Sequence, residues 1–264
     1  MSAGWRPYLQ LHKKKKRQEE RKFIIEGVRL CQEALRSGWE TEIAFVSEDF
    51  TRSEHWEQFA EHFRLKKIPW RALAPAQFRQ LADTETPQGV LMVLRMPSYL
   101  PEQLNLRKAS FVVLLQGVRD PGNLGAIIRT ADWYGAGAVI LSPDCVDPFN
   151  PKVLRGTMGS IFHLPVYSTP DLSEEIRRLK ESRFRIIASS LHGKTTLQTA
   201  RFRKPAALLL GGEAFGLTAD LEAQADDTVR IWKYGQAESL NVAIAGGIFM
   251  DHIAGQLSKT PRKR

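Results

Sequence analysis

The sequence predicts an α/β protein of two domains, a small one at the N-terminus and a larger one built on a parallel sheet. Three observations carry this. After residue 109, continuous apolar runs recur at 111–115, 138–141, 184–188, 206–210 and 228–232 with helical stretches between them, the pattern of parallel strands covered on both faces. Before residue 97 the apolar spacing switches repeatedly between helical and extended over a segment of ordinary domain size. Between the two, residues 97–108 carry Pro97 and Pro101 among polar residues and read as a linker.

Taken in order, residues 1–20 form a polar, lysine-rich arm with Lys13, Lys14, Lys15, Lys16 and Arg17, either a solvated face or a phosphate-contacting one. In the domain at 21–96, residues 26–37 have helical apolar spacing at Val28, Leu30, Cys31, Ala34 and Leu35, closed by Gly38. A short strand follows at 43–46. Residues 54–64 set Trp56, Phe59, Ala60 and Phe63 on one helical stripe, which reads as core. A short helix at 75–82 and a strand at 89–94 complete this domain. In the domain at 109–264, the last helix is expected at 240–257, where Ala243, Ala245, Gly246 and Gly247 permit close helix packing, against another subunit among other options.

Composition limits the function. A net charge of +9 favours a polyanionic partner, because each neutralised phosphate releases condensed counterions. The two cysteines are far apart and the six histidines form no ligand spacing, so no disulfide framework and no metal site are expected. No apolar run approaches the ~20 residues needed to span a bilayer, and a cytoplasmic location is expected.

Three segments carry chemistry. In the first, the strand at 111–115 runs into Gln116-Gly117-Val118-Arg119-Asp120-Pro121-Gly122-Asn123, and a helix follows. Ligands bind where parallel strands end. Asn123 near the helix start reads as an N-cap. Arg129, among Ala126, Ile127, Ile128 and Ala131, must find an anionic partner, either a structural carboxylate or a substrate, or reach an edge. In the second, Leu210-Gly211-Gly212-Glu213-Ala214-Phe215-Gly216-Leu217 ends another buried strand. Paired glycines admit a ligand close to the backbone, and Glu213 either caps a helix or holds a catalytic arginine. The order matches neither a dinucleotide fingerprint nor a phosphate-binding P-loop. In the third, Ile231-Trp232-Lys233-Tyr234-Gly235-Gln236-Ala237-Glu238-Ser239-Leu240-Asn241 leads into the last helix. Here Ser239 or Asn241 caps the helix, or the loop amides hold an adenine.

In this order the segments resemble the SPOUT class of RNA methyltransferases, specifically the TrmH/SpoU family of ribose 2′-O-methyltransferases. The resemblance rests on residues 123–131, 210–217 and 239–243. More softly, Phe23-Ile24-Ile25-Glu26-Gly27 makes the N-terminal domain similar to the L30e-like substrate-binding domain common in that family. It implies a parallel α/β sheet whose C-terminal part threads a deep trefoil knot, and a homodimer with the active site at the subunit interface. It implies S-adenosylmethionine as cofactor and RNA, with rRNA the expected kind, as substrate. By position, Arg129, Asn123, Glu213, Ser239 and Asn241 are the catalytic candidates. Gly211, Gly212, Ile231, Leu240 and Leu191 are the cofactor contacts. Lys13 to Arg17, with Arg21 and Lys22, would grip RNA. The chain departs from the pattern at Ile231-Trp232-Lys233, where many relatives have Ile-Pro-Met. A tRNA target, and a non-catalytic RNA-binding protein with a degenerate enzyme domain, are the competing readings. The intact motif residues weigh against the second.

Overall fold

The computed structural model describes residues 4–99, 109–213 and 215–257. The chain divides into two units, Met1–Ser98 with Phe149–His163 and Tyr99–Pro148 with Leu164–Arg264. Residues 100–108 of the expected linker lie outside the described residues.

In the first unit a 3-10 turn over Arg6–His12 leads into α1 (Lys14–Glu20), β1 (Lys22–Glu26), α2 (Val28–Arg36), β2 (Thr41–Ser47), α3 (Trp56–Leu65), β3 (Trp70–Leu73), α4 (Pro75–Leu81) and β4 (Val90–Arg95). The sheet order is β1-β4-β2-β3; β4 runs antiparallel to β1 and β2, and β3 parallel to β2. On α3, Phe59 and Phe63 are buried, as their stripe predicts.

Two features of this unit depart from the sequence reading. Residues 6–20 are not an arm. Tyr8 and Leu11 belong to the same apolar cluster as Phe45, Phe78 and Leu91, and Tyr8 donates to Glu42 at 3.0 Å. Arg17 is 2% exposed and donates to the carbonyls of Leu11 and His12 at 2.9 Å each. It braces the turn and is closed to a phosphate. Lys22 likewise pairs with Glu42 at 2.8 Å. Arg21 spends its guanidinium on the Pro97 carbonyl and the Ser98 hydroxyl, and Lys16 pairs with Glu19 at 2.8 Å. Lys13, Lys14 and Lys15 remain exposed.

The second departure is the segment Phe149–His163, which the sequence boundary assigns to the C-terminal domain. Its reason is aromatic packing. Phe149 lies 4.7 Å from Phe23, ring centre to ring centre, and Phe162 meets Trp39 edge-on at 5.1 Å. Such pairs contribute about 0.5–1.5 kcal/mol each beyond simple burial.

The second unit contains β5 (Phe111–Gln116), α5 (Pro121–Trp133) and β6 (Val139–Leu141); α6 (Pro151–Thr157) then falls in the first unit. It resumes with β7 (Val166–Ser168), α7 (Leu172–Glu181), β8 (Arg185–Ser189), β9 (Thr195–Thr196), β10 (Ala206–Gly211), α8 (Ala219–Glu222), β11 (Asp227–Arg230) and α9 (Val242–Leu257). Seven strands run in the order β7-β6-β5-β10-β8-β11-β9, with every neighbouring pair parallel. The five apolar runs of the sequence all become strands. On one side of the sheet, Leu172, Ile176 and Leu179 of α7 pack with Val112, Leu114, Ile140, Ile186 and Leu209. Asp171 caps α7 by accepting from the amides of Ser173 and Glu174, which satisfies donors the first turn leaves unpaired. α5 and α9 pack against each other. A Cβ on Gly246 would meet Leu210 at 2.9 Å, whereas one on Gly247 would make only ordinary contact with Thr130 at 3.8 Å. Gly246 therefore serves packing inside one chain. Among the described residues, no helix is long and apolar enough to cross a membrane.

Candidate active site

The central strands β10, β8 and β11 all end at one cavity of about 690 Å³. Ser189 lines it at the end of β8, Gly211 at the end of β10 and Ile231 just after β11. This is the edge of a parallel sheet where ligands bind, and the size suits a small-molecule cofactor.

Local sequence explains how the loops are held. Gly212 donates its amide to the Gln116 carbonyl at 2.7 Å, and Gly216 donates to the Gly212 carbonyl at 3.0 Å. Gln116 is clamped to Thr218 in both directions, accepting from its amide at 2.9 Å and donating to its hydroxyl at 3.2 Å. The paired glycines line the cavity and serve a further purpose as well. A Cβ on Gly211 would sit 2.1 Å from the Gly216 backbone, and one on Gly212 would sit 2.1 Å from the Gly117 carbonyl oxygen. Both exist so that the second-segment loop can fold onto itself and onto the first-segment loop.

The first segment also corrects a reading. Asp120, not Asn123, caps α5: its carboxylate accepts from the Asn123 amide at 2.8 Å, and Pro121 opens the helix. Pro at that position is preorganised for a helix start. The side chain of Asn123 is thereby released from capping. It donates from Nδ2 to Glu213 Oε1 and accepts from Asn241 Nδ2 at 2.9 Å. Asn241 does double service, since its Oδ1 also caps α9, accepting from Ala243 at 2.8 Å and Ile244 at 3.3 Å. One residue from each of the three segments therefore meets in a single hydrogen-bonded row, Glu213–Asn123–Asn241. Because Asn241 is turned by its capping bonds, its amide nitrogen must face Asn123, and Asn123 must then present its own nitrogen to the carboxylate.

Among the predicted residues, Gly211, Gly212, Ile231, Leu240, Leu191, Glu213, Ser239 and Asn241 all line the cavity. Arg129 does not. It is exposed on α5, six residues beyond Asn123, a spacing that puts the two side chains on different faces of the helix. Its guanidinium has no hydrogen bond or ion pair among the described residues, so Glu213 does not hold it. Sequence reasoning missed Phe215, Tyr234 and Glu222 as lining residues. Two aromatic side chains inside polar loops were the available signal. Trp232, where the resemblance expects proline, lines the cavity and has the Arg230 guanidinium over its ring at 5.5 Å. The stacking restrains the loop where the proline is missing.

The electrostatics suit a cationic ligand with a flat apolar part. Glu213, Glu222 and Glu238 line the cavity against a single lysine, Lys233, while Leu191, Ile231 and Leu240 give it apolar walls. A nucleoside carrying a sulfonium fits that donor set.

An α/β parallel-sheet fold with a cofactor-sized cavity lined by the second and third segments, to which the first is bonded through Asn123, fits the class of cofactor-dependent methyltransferases acting on RNA. The chain belongs to the SpoU rRNA methylase family, whose model matches residues 110–251; a second model, the MRM3-like substrate binding domain, matches residues 6–92. It is 35% identical over 245 residues to the 23S rRNA (guanosine(2553)-2′-O)-methyltransferase RlmP of Bacillus subtilis, covering 93% of each chain. Among solved structures it is similar to the SpoU methyltransferase AviRb from Streptomyces viridochromogenes in complex with AdoMet, with a TM-score of 0.88, 28% identity and coverage of 97% of this chain and 98% of that one. It is also similar to the AdoMet-bound rRNA methyltransferase from Sinorhizobium meliloti, at a TM-score of 0.86 and 31% identity, covering 96% and 95%. The cofactor of this protein is S-adenosylmethionine.

Proposed function

We propose that this protein methylates a ribose 2′-hydroxyl of 23S rRNA and works as a homodimer. The observation that carries the reading is the Glu213–Asn123–Asn241 row beside the cofactor cavity. The relatives aligned over nearly the full chain, RlmP in particular, support the rRNA target. The bound cofactor supplies an electrophilic methyl group. The chain's own residues do the rest. A ribose hydroxyl is a weak nucleophile, and fixing it in line contributes on the order of 7–11 kcal/mol in favourable cases. Asn123 and Asn241, each held in one orientation, with Ser239 beside them, are the groups that position it. The Glu213 carboxylate sits at the end of the row, where it accepts a hydrogen bond and strengthens the orientation of Asn123.

Arg129 stabilises charge developing on the 2′-oxygen or grips the neighbouring phosphate; a guanidinium is suited to that electrostatic role and is a poor general base. Because Arg129 is exposed, unpaired and outside its own chain's cavity, we assign it to the cavity of the partner subunit. Trp133, Ile244 and Ile248, large apolar residues exposed on α5 and α9, support a dimer formed through these helices. The trefoil knot expected from the resemblance belongs to the same proposal, in the stretch from β10 to α9. The non-catalytic alternative is disfavoured because the three segments are intact and hydrogen-bonded to one another.

Incubation of the pure protein with methyl-labelled cofactor and, separately, 23S rRNA, 16S rRNA and total tRNA tests the target. Label in 23S rRNA alone is expected. Label in tRNA alone would overturn the rRNA assignment.

A further inference from the structure

Eleven large apolar side chains are exposed among the described residues, and five of them line one cavity: Leu191, Phe215, Trp232, Tyr234 and Leu240. Single exposed apolar residues need no explanation, but a concentration around a cavity mouth does. Leu191 and Leu240 fall where the cofactor's apolar part is expected, and Trp232 is engaged by Arg230. Phe215 and Tyr234 are left over. They are 88% and 87% exposed, more than any other large apolar side chain described, so the fold gains almost nothing from either ring.

Their positions define what they can meet. Phe215 stands two residues beyond Glu213 in the second-segment loop, and Tyr234 lies in the third-segment loop ahead of Ser239 and Asn241. Both loops end in the row that we read as holding the ribose. A nucleotide presenting its 2′-oxygen to that row carries its own base, and its neighbours' bases, within a few ångströms of the same loops. Charge selects among the parts of RNA. Among the lining residues Glu213, Glu222 and Glu238 outnumber Lys233, and the nearby Arg230 is engaged over Trp232, so the surroundings of these two rings favour an uncharged base over a phosphate. Unpaired RNA bases are recognised by stacking on aromatic side chains.

We propose that Phe215 and Tyr234 are stacking platforms for unpaired bases at or next to the methylated nucleotide, and so select single-stranded RNA at the cavity mouth. This rests on the RNA methyltransferase reading above. Both are substrate-positioning residues, separate from the cofactor walls.

The test uses the full chain, saturating S-adenosylhomocysteine and a 23S rRNA transcript as probe. Phe215→Ala and Tyr234→Ala are each expected to weaken transcript binding roughly ten-fold and, in separate turnover assays with S-adenosylmethionine, to raise KM for the transcript with a smaller change in kcat. Cofactor affinity by calorimetry should stay within two-fold of wild type. Phe215→Trp and Tyr234→Phe, which keep a ring, should restore binding. Unchanged transcript affinity in both alanine variants would overturn the proposal. Loss of cofactor affinity in parallel would overturn it too, making the rings cofactor walls, as would a shift in sedimentation showing that they bind a second copy of the chain. If wild type binds the transcript without methylating it while the alanine variants still weaken binding, the stacking stands and the catalytic reading fails.

Discussion

Asn123 shows how a single neighbour decides a residue's role. With Asp120 taking the helix cap, its amide bridges two loops. Asn123→Ala is expected to lower kcat on the order of 10²-fold, the scale seen when one oriented donor is removed from a reacting site, while cofactor affinity measured by calorimetry stays near wild type. The signal for the cap was present in the sequence, since Asp-Pro-Gly-Asn offers an acidic cap followed by a proline at the first helical position. Asn123 looked like the cap only because it was read without Asp120. Gly212 carries a second expectation at this scale. Gly212→Ala puts a methyl 2.1 Å from a backbone carbonyl that cannot yield, so the fold should lose about 1–3 kcal/mol or more, read as a fall in the denaturation midpoint.

Among the elements, the N-terminal turn and α1 behave differently from what a lysine run suggests. Tyr8 and Leu11 were legible as apolar residues at helical spacing, but the charge around them dominated the reading. Deleting residues 1–18 removes two core side chains as well as three exposed lysines. It is expected to cost several kcal/mol, since each large core truncation costs about 2–5, and thermal unfolding would show it before any RNA measurement did. The Tyr8–Glu42–Lys22 contact also gives a pH dependence. Burial pushes the Glu42 carboxyl up, but the hydrogen bonds from Lys22 and Tyr8 and the charges of Lys22 and Arg95 outweigh it and hold it below 4.5. A lowered folded value stabilises the protein above the unfolded pKa, and that contribution is lost as pH falls below 4.5 through the folded value. Glu42→Gln should therefore destabilise the protein at pH 7 by about 1–3 kcal/mol and flatten the acid limb of its stability curve. An acid limb parallel to wild type would contradict this. Strands β7 (Val-Tyr-Ser) and β9 (Thr-Thr) were illegible because neither forms a continuous apolar run. The other five strands of that sheet were read because each lies in such a run, even the three-residue β6.

At the scale of the molecule, segment order carried most of what was legible. The three loops meet in space as their order implied, yet no sequence pattern revealed that Phe149–His163 packs with the N-terminal unit, because aromatic contacts across 100 or more residues leave no local trace. The isolated position of Arg129 has a consequence at this scale as well. In the proposed homodimer, Ile248→Asp on the exposed face of α9 should give a monomer by sedimentation and abolish methyl transfer. Mixing Arg129→Ala with Asn123→Ala protein should restore part of the activity, because a mixed dimer contains one intact composite site. No recovery on mixing would place Arg129 outside the partner's site.

The central claim is that the Glu213–Asn123–Asn241 row presents a ribose hydroxyl to the methyl donor. The most direct measurement is the chemical identity of the methylated nucleoside after the pure protein has acted on unmodified 23S rRNA. A single 2′-O-methylnucleoside, marked by one phosphodiester bond that has become resistant to alkali and absent with Asn123→Ala, is the predicted result. A methylated base, or a methyl group appearing equally with Asn123→Ala, would contradict it.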